Sequence, residues 1–356
     1  LAERGVGWAS PNPLVGAVLV KEGRILGQGW HARCGGLHAE RAALADCRED
    51  PAGATLYVTL EPCCHTGRQP PCTDAILTAG IRRVVVGSMD PNPLVAGKGV
   101  EILRSHGVEV ETGVLQAECD ALNPVFFHYI RTKRPYVVMK YAMTLDGKLA
   151  TRTGASQWIT GEAARQRVHQ DRHRYRGILA GVGTVLADDP LLTCRMENGR
   201  NPVRVICDTR LRTPLDSRIV RTANEVETIL ATCETDGERI APYTAAGCQV
   251  WQLPAREGHV DLSALMDRLG AAEIDGVLLE GGGTLNWSML EAGLVQRVQA
   301  YIAPKLFGGV GAKSPVEGAG VDLPARAVRL RNTAVTQLGE DFLLEGEVDA
   351  DVHGNC

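Results

Sequence analysis

The sequence predicts an α/β protein of two domains, and three observations support this prediction. The chain has 356 residues, a length that usually divides between two hydrophobic cores. Short apolar runs typical of strands alternate with helical patterns, and glycine or proline bounds most of them. A polar segment near 129–135 ends in a proline just before a new apolar run. We therefore expect one domain at 1–130 and a second at 134–350.

The first domain is predicted to be a three-layer α/β fold with short buried strands. Pro-Asn-Pro-Leu-Val occurs at 11–15 and again at 91–95, but the flanking residues do not repeat. This indicates two similar loops rather than a duplicated domain. The predicted strands are 17–20, 56–60 and 83–87, and the predicted helices are 39–48, 72–80 and 99–106.

The stretch from 38 to 72 collects the side chains of a metal site. His38 opens the first predicted helix, Cys63 follows the second strand, and Cys72 stands after two prolines at the start of the next helix. One imidazole and two thiolates form a three-ligand zinc set that leaves a fourth position for water, as catalytic sites do. The positive ends of two helix dipoles favour thiolate over thiol. We expect one Zn²⁺ per chain.

Glu40 is the predicted general acid/base of this site. It lies two residues after His38 and is not needed as a ligand, so it can carry a proton from water to a departing amine. His-x-Glu followed by Pro-Cys is typical of zinc nucleobase deaminases, although the second cysteine comes later here, at Cys72. Cys64 or His65 could instead complete a four-ligand structural site.

The second domain is predicted to begin with a strand at 136–140. Further strands are expected at 177–180, 203–207, 227–231, 248–253, 276–280 and 297–302, with helices between several of them. No Gly-x-Gly-x-x-Gly follows any of these strands, so the dinucleotide fingerprint of doubly wound folds is absent. The strand ending at Glu280 leads into Gly281-Gly282-Gly283-Thr284 and a helix. This turn favours phosphate, because glycine lets backbone amides approach a ligand at a helix N-terminus.

Composition indicates an ordinary globular protein. Apolar residues make up 44% of the chain, charged residues 22%, and the formal net charge is −4, which argues against a nucleic-acid binder because phosphate neutralisation needs clustered Lys and Arg. No apolar run reaches the roughly 18 residues of a membrane span. The eleven cysteines and a start without a signal peptide predict a cytoplasmic protein with reduced thiols. Because the chain starts at Leu1, we expect most of a first helix to precede it.

Several motifs together resemble the bifunctional deaminase/reductase family of riboflavin biosynthesis, over nearly the whole chain. They are His-Ala-Glu at 38–40, Thr-Leu-Glu-Pro-Cys at 59–63, Gly-Arg-Gln-Pro-Pro-Cys at 67–72, Met-Thr-Leu-Asp-Gly-Lys at 143–148, Ser-Gln-Trp-Ile-Thr at 156–160 and Gly-Thr-Val-Leu-Ala-Asp-Asp-Pro-Leu-Leu-Thr at 183–193. The resemblance implies a cytidine-deaminase-like first domain and a dihydrofolate-reductase-like second domain that uses NADPH.

The resemblance also implies roles for individual residues. In the first domain, Asn12 and His31 are expected to contact the pyrimidine. In the second, the residues expected to line the cofactor are Ala142, Trp158, Thr184, Asp188, Thr209, Gly282, Gly283 and Thr284. The residues expected to face substrate are Ser156, Arg172, Leu192, Arg195 and Glu280. The two arginines suit a ribose phosphate, because a planar guanidinium binds phosphate oxygens bidentately.

Three residues remain candidates for the reductase proton donor, namely Lys140, Asp188 and Glu280. The implied reactions are deamination of 2,5-diamino-6-(5-phosphoribosylamino)pyrimidin-4(3H)-one and then reduction of its ribosyl group, in a homo-oligomer of two or four chains. Two alternatives stay open. One is a single-function nucleoside or tRNA deaminase with an unrelated C-terminal domain. The other is a non-enzymatic zinc-stabilised binding module, which needs a fourth protein ligand.

Overall fold

A computed structural model describes residues 1–349, so the expected end of the second domain, residue 350, lies just outside the described residues. The chain divides into two compact units. Unit 1 is Leu1–Lys133, and unit 2 begins at Arg134. Within the polar segment at the boundary, residues 129–132 form the last turn of the helix Pro124–Thr132, and residues 133–135 lead into the next strand. None of the described helices is long and apolar enough to cross a bilayer.

Unit 1 is a five-stranded sheet with helices packed against it. Its strands are β1 (Gly16–Lys21), β2 (Arg24–Trp30), β3 (Thr55–Leu60), β4 (Arg83–Ser88) and β5 (Glu109–Thr112). Its helices are α1 (Ala39–Asp46), α2 (Cys72–Thr78), α3 (Lys98–Ser105), α4 (Gln116–Leu122) and α5 (Pro124–Thr132). The sheet order is β2-β1-β3-β4-β5. Strands β3, β4 and β5 are parallel, whereas β1 is antiparallel to both of its neighbours.

The predicted strands and helices of unit 1 form, but the prediction lacks β2, β5, α4 and α5. Strand β2 contains Gly27 and Gly29, which weaken a strand pattern in sequence. Both glycines are needed because α1 crosses β2 closely. A Cβ on either one would lie only 2.4 Å from a backbone atom of Ala43 in α1. This close approach holds the helix that follows His38 against the sheet.

Unit 2 is built on a nine-stranded sheet. Its strands are β6 (Tyr136–Thr144), β7 (Gly177–Gly181), β8 (Val203–Cys207), β9 (Thr228–Thr232), β10 (Gln249–Gln252), β13 (Gly276–Leu279), β14 (Arg297–Ala303), β15 (Leu330–Leu338) and β16 (Asp341–Val348), and a separate small hairpin is formed by β11 (Ala255–Arg256) and β12 (His259–Val260). Its helices are α6 (Glu162–Arg174), α7 (Val182–Asp188), α8 (Arg218–Arg221), α9 (Gly237–Ala245), α10 (Leu262–Ala271) and α11 (Gly283–Glu291). The order is β10-β9-β8-β7-β13-β6-β14-β16-β15.

Two hydrophobic cores cover the faces of this sheet. Along β7, Ile178 and Ala180 join one core while Leu179 joins the other, because successive side chains of a strand point to opposite faces. Following the order of the sheet, the strands β10, β9, β8, β7, β13, β6 and β14 are all parallel. Strand β16 is antiparallel to β14, and β15 is antiparallel to β16. All strands predicted for this domain form, whereas β15, β16 and the small hairpin are not predicted. Parallel strands place their carboxyl ends at one edge, where the cleft described below lies.

Candidate active sites

The three predicted metal ligands converge in unit 1. His38 Nδ1 lies 3.4 Å from Cys63 Sγ and 3.4 Å from Cys72 Sγ, and the three ligand atoms are all within 4.8 Å of one another. Around a tetrahedral zinc ion, with Zn–S about 2.3 Å and Zn–N about 2.0 Å, nitrogen and sulfur stand about 3.5 Å apart. The donor set therefore fits zinc both in spacing and in chemistry.

Two helix starts and the end of β3 bring these ligands together. His38 directly precedes α1, and Cys72 is the first residue of α2. The N–H groups of Cys72 and Thr73 both donate to the carbonyl oxygen of Cys63, at 3.0 and 3.2 Å. Hydrogen bonds from Cys72 and His38 outweigh burial and lower the pKa of Cys63 to about 4. The hydrogen bond to Cys63, together with burial, raises the pKa of Cys72, so the two sulfurs hold one thiolate between them, and metal binding releases the remaining proton.

Glu40 lies in the first turn of α1 and is 3% exposed. Burial, together with the charge of Cys63, raises the pKa of Glu40 to about 7, while a bound cation would act in the opposite direction. Among residues 1–349, no fourth His, Cys, Asp or Glu atom joins the ligand group. Cys64 Sγ instead donates to the carbonyl oxygen of Leu94, at 3.6 Å. The geometry therefore leaves Glu40 beside the metal position and outside the ligand set.

Asn12 and His31 form a pair in the same unit. Asn12 Nδ2 donates to His31 Nε2 at 3.1 Å, and His31 Nδ1 donates to the carbonyl oxygen of Leu37 at 2.9 Å. His31 is 3% exposed, and its ring lies edge-on to that of His38 with the centroids 5.3 Å apart. Both ring nitrogens are thus occupied. The expected contact of His31 with substrate stays a prediction, and in the structure its ring accepts the hydrogen bond that orients the Asn12 amide.

Two residues that sequence reasoning missed fix the loops of unit 1. Glu61, which is 3% exposed, accepts hydrogen bonds from the N–H groups of Asp90, Gly97 and Val100 at 3.3, 3.0 and 3.2 Å. Asn123 accepts from the Leu14 N–H at 2.7 Å and donates to the Leu14 carbonyl at 2.9 Å. Only the Glu61-Pro62-Cys63 sequence gave a local signal, while Asn123 lies too far along the chain from the loop that it holds.

A cleft of about 1470 Å³ opens in unit 2. Strands β7, β8 and β13 end at it, the middle of β6 lines it, and α7 and α11 begin at it. Every residue predicted for the reductase site lines this cleft, including the eight predicted cofactor residues, the five predicted substrate residues and Lys140. The structure thus brings together positions that are distributed from 140 to 284 in the sequence.

A buried ion triad stands at the wall of the cleft. Arg172 holds the Glu280 carboxylate through two hydrogen bonds, Nε to Oε1 at 2.7 Å and Nη2 to Oε2 at 3.0 Å, and Lys140 Nζ lies 3.3 Å from Oε2. Burial alone would raise the pKa of Glu280, but the charges of Arg172 and Lys140 hold it well below its usual range. Glu280 therefore stays ionised and is a poor proton donor, and the Lys140 side chain lies against it in the same wall.

Arg172 lines the cleft, and its expected contact with a substrate phosphate stays a prediction. Two of its nitrogens bind Glu280, and Nη1 donates to the carbonyl oxygen of Thr193 at 3.0 Å. Arg195, in contrast, is exposed at the cleft, and among the described residues no acid pairs with it. Leu192 is 3% exposed and packs in the core, so its side chain contributes little surface to a ligand.

The predicted cofactor residues occupy several separate parts of the cleft wall. Gly283 is the first residue of α11, and a Cβ there would meet the Ser314 carbonyl oxygen at 2.7 Å, so the turn requires glycine. Arg165 lies over the Trp158 ring at 4.8 Å, and that indole is 56% exposed. Ser156 Oγ donates to Asp188 Oδ1 at 3.0 Å, which joins a predicted substrate residue to a predicted cofactor residue. The glycine turn and an exposed indole suit phosphates and a planar ring.

Comparison with known proteins gives the same division of the chain. The family model for the RibD C-terminal domain matches residues 135–344, and the model for the cytidine and deoxycytidylate deaminase zinc-binding region matches residues 1–88. The riboflavin biosynthesis protein RibD of Actinobacillus pleuropneumoniae is 56% identical over 97% of this chain and 92% of its own length. The RibD of Escherichia coli is 40% identical over 97% of this chain and 95% of its own length.

Solved structures resemble the whole chain. The Acinetobacter baumannii RibD structure has a TM-score of 0.88 at 37% identity and covers 98% of this chain and 96% of its own. A diaminohydroxyphosphoribosylaminopyrimidine deaminase/5-amino-6-(5-phosphoribosylamino)uracil reductase from Thermotoga maritima has a TM-score of 0.85 at 39% identity, with the same coverage of 98% and 96%. These likenesses confirm the predicted fold class, a cytidine-deaminase-like domain followed by a dihydrofolate-reductase-like domain.

Proposed function

Because the chain belongs to the RibD family of riboflavin biosynthesis proteins, we propose that it catalyses two consecutive reactions of that pathway. The first is the zinc-dependent hydrolytic deamination of 2,5-diamino-6-(5-phosphoribosylamino)pyrimidin-4(3H)-one in unit 1. The second is the NADPH-dependent reduction of the ribosyl group of 5-amino-6-(5-phosphoribosylamino)uracil to ribityl in unit 2. One observation carries the proposal, namely that a three-ligand zinc set with a buried Glu40 beside it stands in a chain similar to RibD over nearly its full length.

His38, Cys63 and Cys72 hold the zinc ion in this proposal. When bound, the ion supplies the Lewis acidity that makes water a nucleophile near neutral pH. Glu40 accepts a proton from the attacking water and delivers it to the departing amine, which leaves as ammonia. Burial raises the pKa of Glu40 and a bound cation lowers it, and this balance favours a carboxyl that can both accept and release a proton.

Asn12 is proposed to recognise the pyrimidine. Because its Nδ2 donates to His31, its Oδ1 is the atom left to accept a hydrogen bond from a ring N–H or amino group. His31, fixed by the Leu37 carbonyl, sets the orientation of that amide. His31 therefore acts on the substrate through Asn12.

Lys140 is proposed as the proton donor of the reductase. When bound, NADPH supplies the hydride that C1′ of the substrate receives. Lys140 Nζ gives a proton to the ribose ring oxygen as the bond between that oxygen and C1′ breaks, so one proton and one hydride are consumed. Glu280, which is itself bound by Arg172, forms an ion pair with Lys140 and holds its side chain in place. Arg195 is proposed to meet the substrate phosphate, and Ser156 and Asp188 to complete the substrate wall.

The two alternative interpretations lose their support. A single-function nucleoside or tRNA deaminase leaves residues 135–344 unexplained, although these match the RibD C-terminal domain. A zinc-stabilised binding module needs a fourth protein ligand, and within the described chain none joins the group. We further propose that the enzyme works in the cytoplasm as a homo-oligomer of two or four chains, which light scattering would test.

A two-arm assay tests the proposed function. The purified protein receives the diaminopyrimidine phosphoribosyl substrate, with NADPH present in one arm and omitted in the other. We expect ammonia in both arms, and oxidation of NADPH in the complete mixture after deamination. Ammonia without NADPH oxidation would remove the reductase assignment, and the absence of ammonia from zinc-loaded protein would remove the deaminase assignment.

A further inference from the structure

One arginine is fully buried in the core of unit 2. Arg204, in β8, is 0% exposed, and its side chain lies on the same face of the sheet as that of Ile206, because alternate residues of a strand point to one face. Burial lowers the pKa of Arg204 to about 10, so the guanidinium stays charged at neutral pH. Among the described residues no acid forms an ion pair with it, and hydrogen bonds must compensate for the buried charge.

All three guanidinium nitrogens of Arg204 donate to neutral oxygen atoms. The six acceptors are the Thr228 hydroxyl for Nε at 2.9 Å, the Leu191 carbonyl at 3.2 Å and the Thr222 hydroxyl at 2.8 Å for Nη1, and the carbonyls of Ile219, Thr222 and Val226 for Nη2 at 3.0, 3.1 and 2.9 Å. Five of these acceptors lie in the segment 219–228, whereas Leu191 belongs to a loop that lines the cleft. Arg204 therefore links the core of unit 2 to the cleft wall.

The loop that contains Leu191 has an unusual backbone. It runs from 189 to 193 after α7, and residues 190–193 line the cleft. Asp189 and Leu192 have φ of 38° and 52°, in the left-handed region that residues other than glycine seldom adopt. Such a conformation persists where the surrounding structure fixes it, and it is frequent at ligand sites. The contacts that fix this loop therefore bear on the binding of a ligand in the cleft.

Two contacts fix the loop from the side that faces away from the cleft, in addition to the hydrogen bond that it receives from the ion triad. Arg204 holds the Leu191 carbonyl. Asp189 Oδ1 accepts the N–H of Arg218, the first residue of α8, at 2.8 Å. Neither Arg204 nor Asp189 is among the described residues that line the cleft. Both residues can therefore influence a bound ligand only through the position of the loop.

We propose that Arg204 and Asp189 are positioning residues of the reductase, which hold the loop 189–193 in the conformation that receives the phosphoribosyl substrate. The inference rests on the proposed reductase function. A loop that is already ordered loses little conformational entropy when a ligand binds. The two residues should therefore lower the KM for the substrate and leave the proton and hydride transfers unchanged. The turn at 281–284, which is expected to hold the cofactor, lies outside the loop, so the affinity for NADP⁺ should not depend on them.

Two substitutions of Asp189 in the zinc-loaded full chain test this assignment. Asp189→Gly accommodates the left-handed φ but removes the acceptor, whereas Asp189→Asn keeps an acceptor oxygen and tolerates the same φ. In Asp189→Gly the KM for 5-amino-6-(5-phosphoribosylamino)uracil should rise about tenfold at unchanged kcat, the effect of losing one hydrogen bond to a charged group. Asp189→Asn should keep a KM close to that of wild type. Asp236→Gly, the control, removes a carboxylate that accepts the Glu238 N–H at 2.9 Å at the start of α9, outside the cleft, and should leave KM unchanged.

Arg204→Lys tests the second residue, and it decides the question if Asp189→Gly does not fold. An ammonium group has three donors for six acceptors, so the same KM should rise, while ammonia release and the calorimetric affinity for NADP⁺ remain those of wild type. Melting curves show which variants are folded. An unchanged KM in the folded variants, an equal rise in Asp189→Gly and Asp189→Asn, or a fall in kcat alone would overturn the inference and leave the reductase assignment standing. If wild-type protein does not oxidise NADPH with the deaminated substrate, the proposed reductase function fails, and the inference fails with it.

Discussion

The metal centre of unit 1 and the cleft of unit 2 are assembled in different ways. The metal ligands lie between His38 and Cys72, on two helix starts and the loop after β3. The walls of the cleft come from segments distributed between Lys140 and Glu317. The first site depends on a few buried atoms at short distances, whereas the second depends on the order of strands in a nine-stranded sheet. A single substitution in the metal centre should therefore abolish deamination and leave unit 2 unaffected. A single substitution in the cleft should reduce the reductase activity only in part.

Removing a metal ligand is the strongest test of this contrast. In His38→Ala the zinc set loses one of three donors, so we expect loss of zinc and a fall in deamination of more than about 10³-fold. NADPH oxidation on the deaminated substrate should stay within about twofold. Metal analysis and the two assays on one preparation check this. Full zinc occupancy in the variant would contradict the assigned ligand set.

Lys140→Met is the corresponding change in the cleft. Without a proton donor beside Glu280, reductase turnover should fall about 10²-fold, while deamination and the affinity for NADP⁺ remain nearly unchanged. Stopped-flow absorbance at the NADPH band and a binding titration measure the two quantities. Lys148→Met, at a lysine outside the cleft, serves as the control. Equal turnover of wild type and Lys140→Met would contradict the role of Lys140 and leave Asp188 as the candidate proton donor.

Glu61→Gln probes the scaffold of the metal centre. An amide oxygen replaces a carboxylate that accepts three backbone N–H groups, so unit 1 should lose about 1–3 kcal/mol of unfolding free energy. The KM for deamination should rise while zinc is retained, because the loop at 90–100 becomes more mobile when these hydrogen bonds weaken. Denaturant unfolding measures the loss. Glu49→Gln, in the exposed pair with Arg24, should change the unfolding free energy very little, because solvent screens an exposed ion pair. An equal effect of the two changes would show that Glu61 does not stabilise the loops of unit 1.

The ion triad predicts a smaller, pH-dependent effect on stability. Because the pKa of Glu280 is held below its usual value in the folded protein, its contribution is complete above about pH 4.3, the ordinary glutamate pKa, and disappears as the pH falls through the lower folded value. The difference in melting temperature between wild type and Glu280→Gln should therefore be constant from pH 7 to 5 and should become smaller below about pH 4. A difference that widens on acidification would show that the carboxyl is protonated in the folded state at neutral pH.

The sequence was sufficient for the metal centre because its signal is local. His38, Glu40, Cys63 and Cys72 each stand near a helix start or a strand end that the hydrophobic pattern marks, and a set of imidazole and thiolates favours zinc. The fold class was predictable for the same reason, since apolar runs bounded by Gly and Pro give the parallel strands. Strand β2 could not be predicted from the sequence, because Gly27 and Gly29 weaken the strand pattern. Both glycines are needed for the close packing of α1 on β2.

The cleft was less predictable because its contacts join distant parts of the chain. The pairing of Arg172 with Glu280 spans 108 residues, and nothing local distinguishes an arginine that binds a carboxylate from one that binds phosphate. His31 is a similar case, since only the structure shows both of its nitrogens engaged. The family resemblance supplied the positions of the site residues, and the structure added the hydrogen bonds and ion pairs that hold them.

The most direct measurement is made on Glu40→Gln, with zinc content, ammonia release and NADPH oxidation determined on one preparation. Glu40 lies beside the ligand set and outside it, so the variant should retain one zinc ion per chain and reduce the deaminated substrate at the wild-type rate. Its ammonia release should fall by about 10²–10⁴-fold, the contribution of a general acid/base. Wild-type ammonia release from zinc-loaded Glu40→Gln would contradict the account, because the metal centre would then act without the proton carrier that defines it.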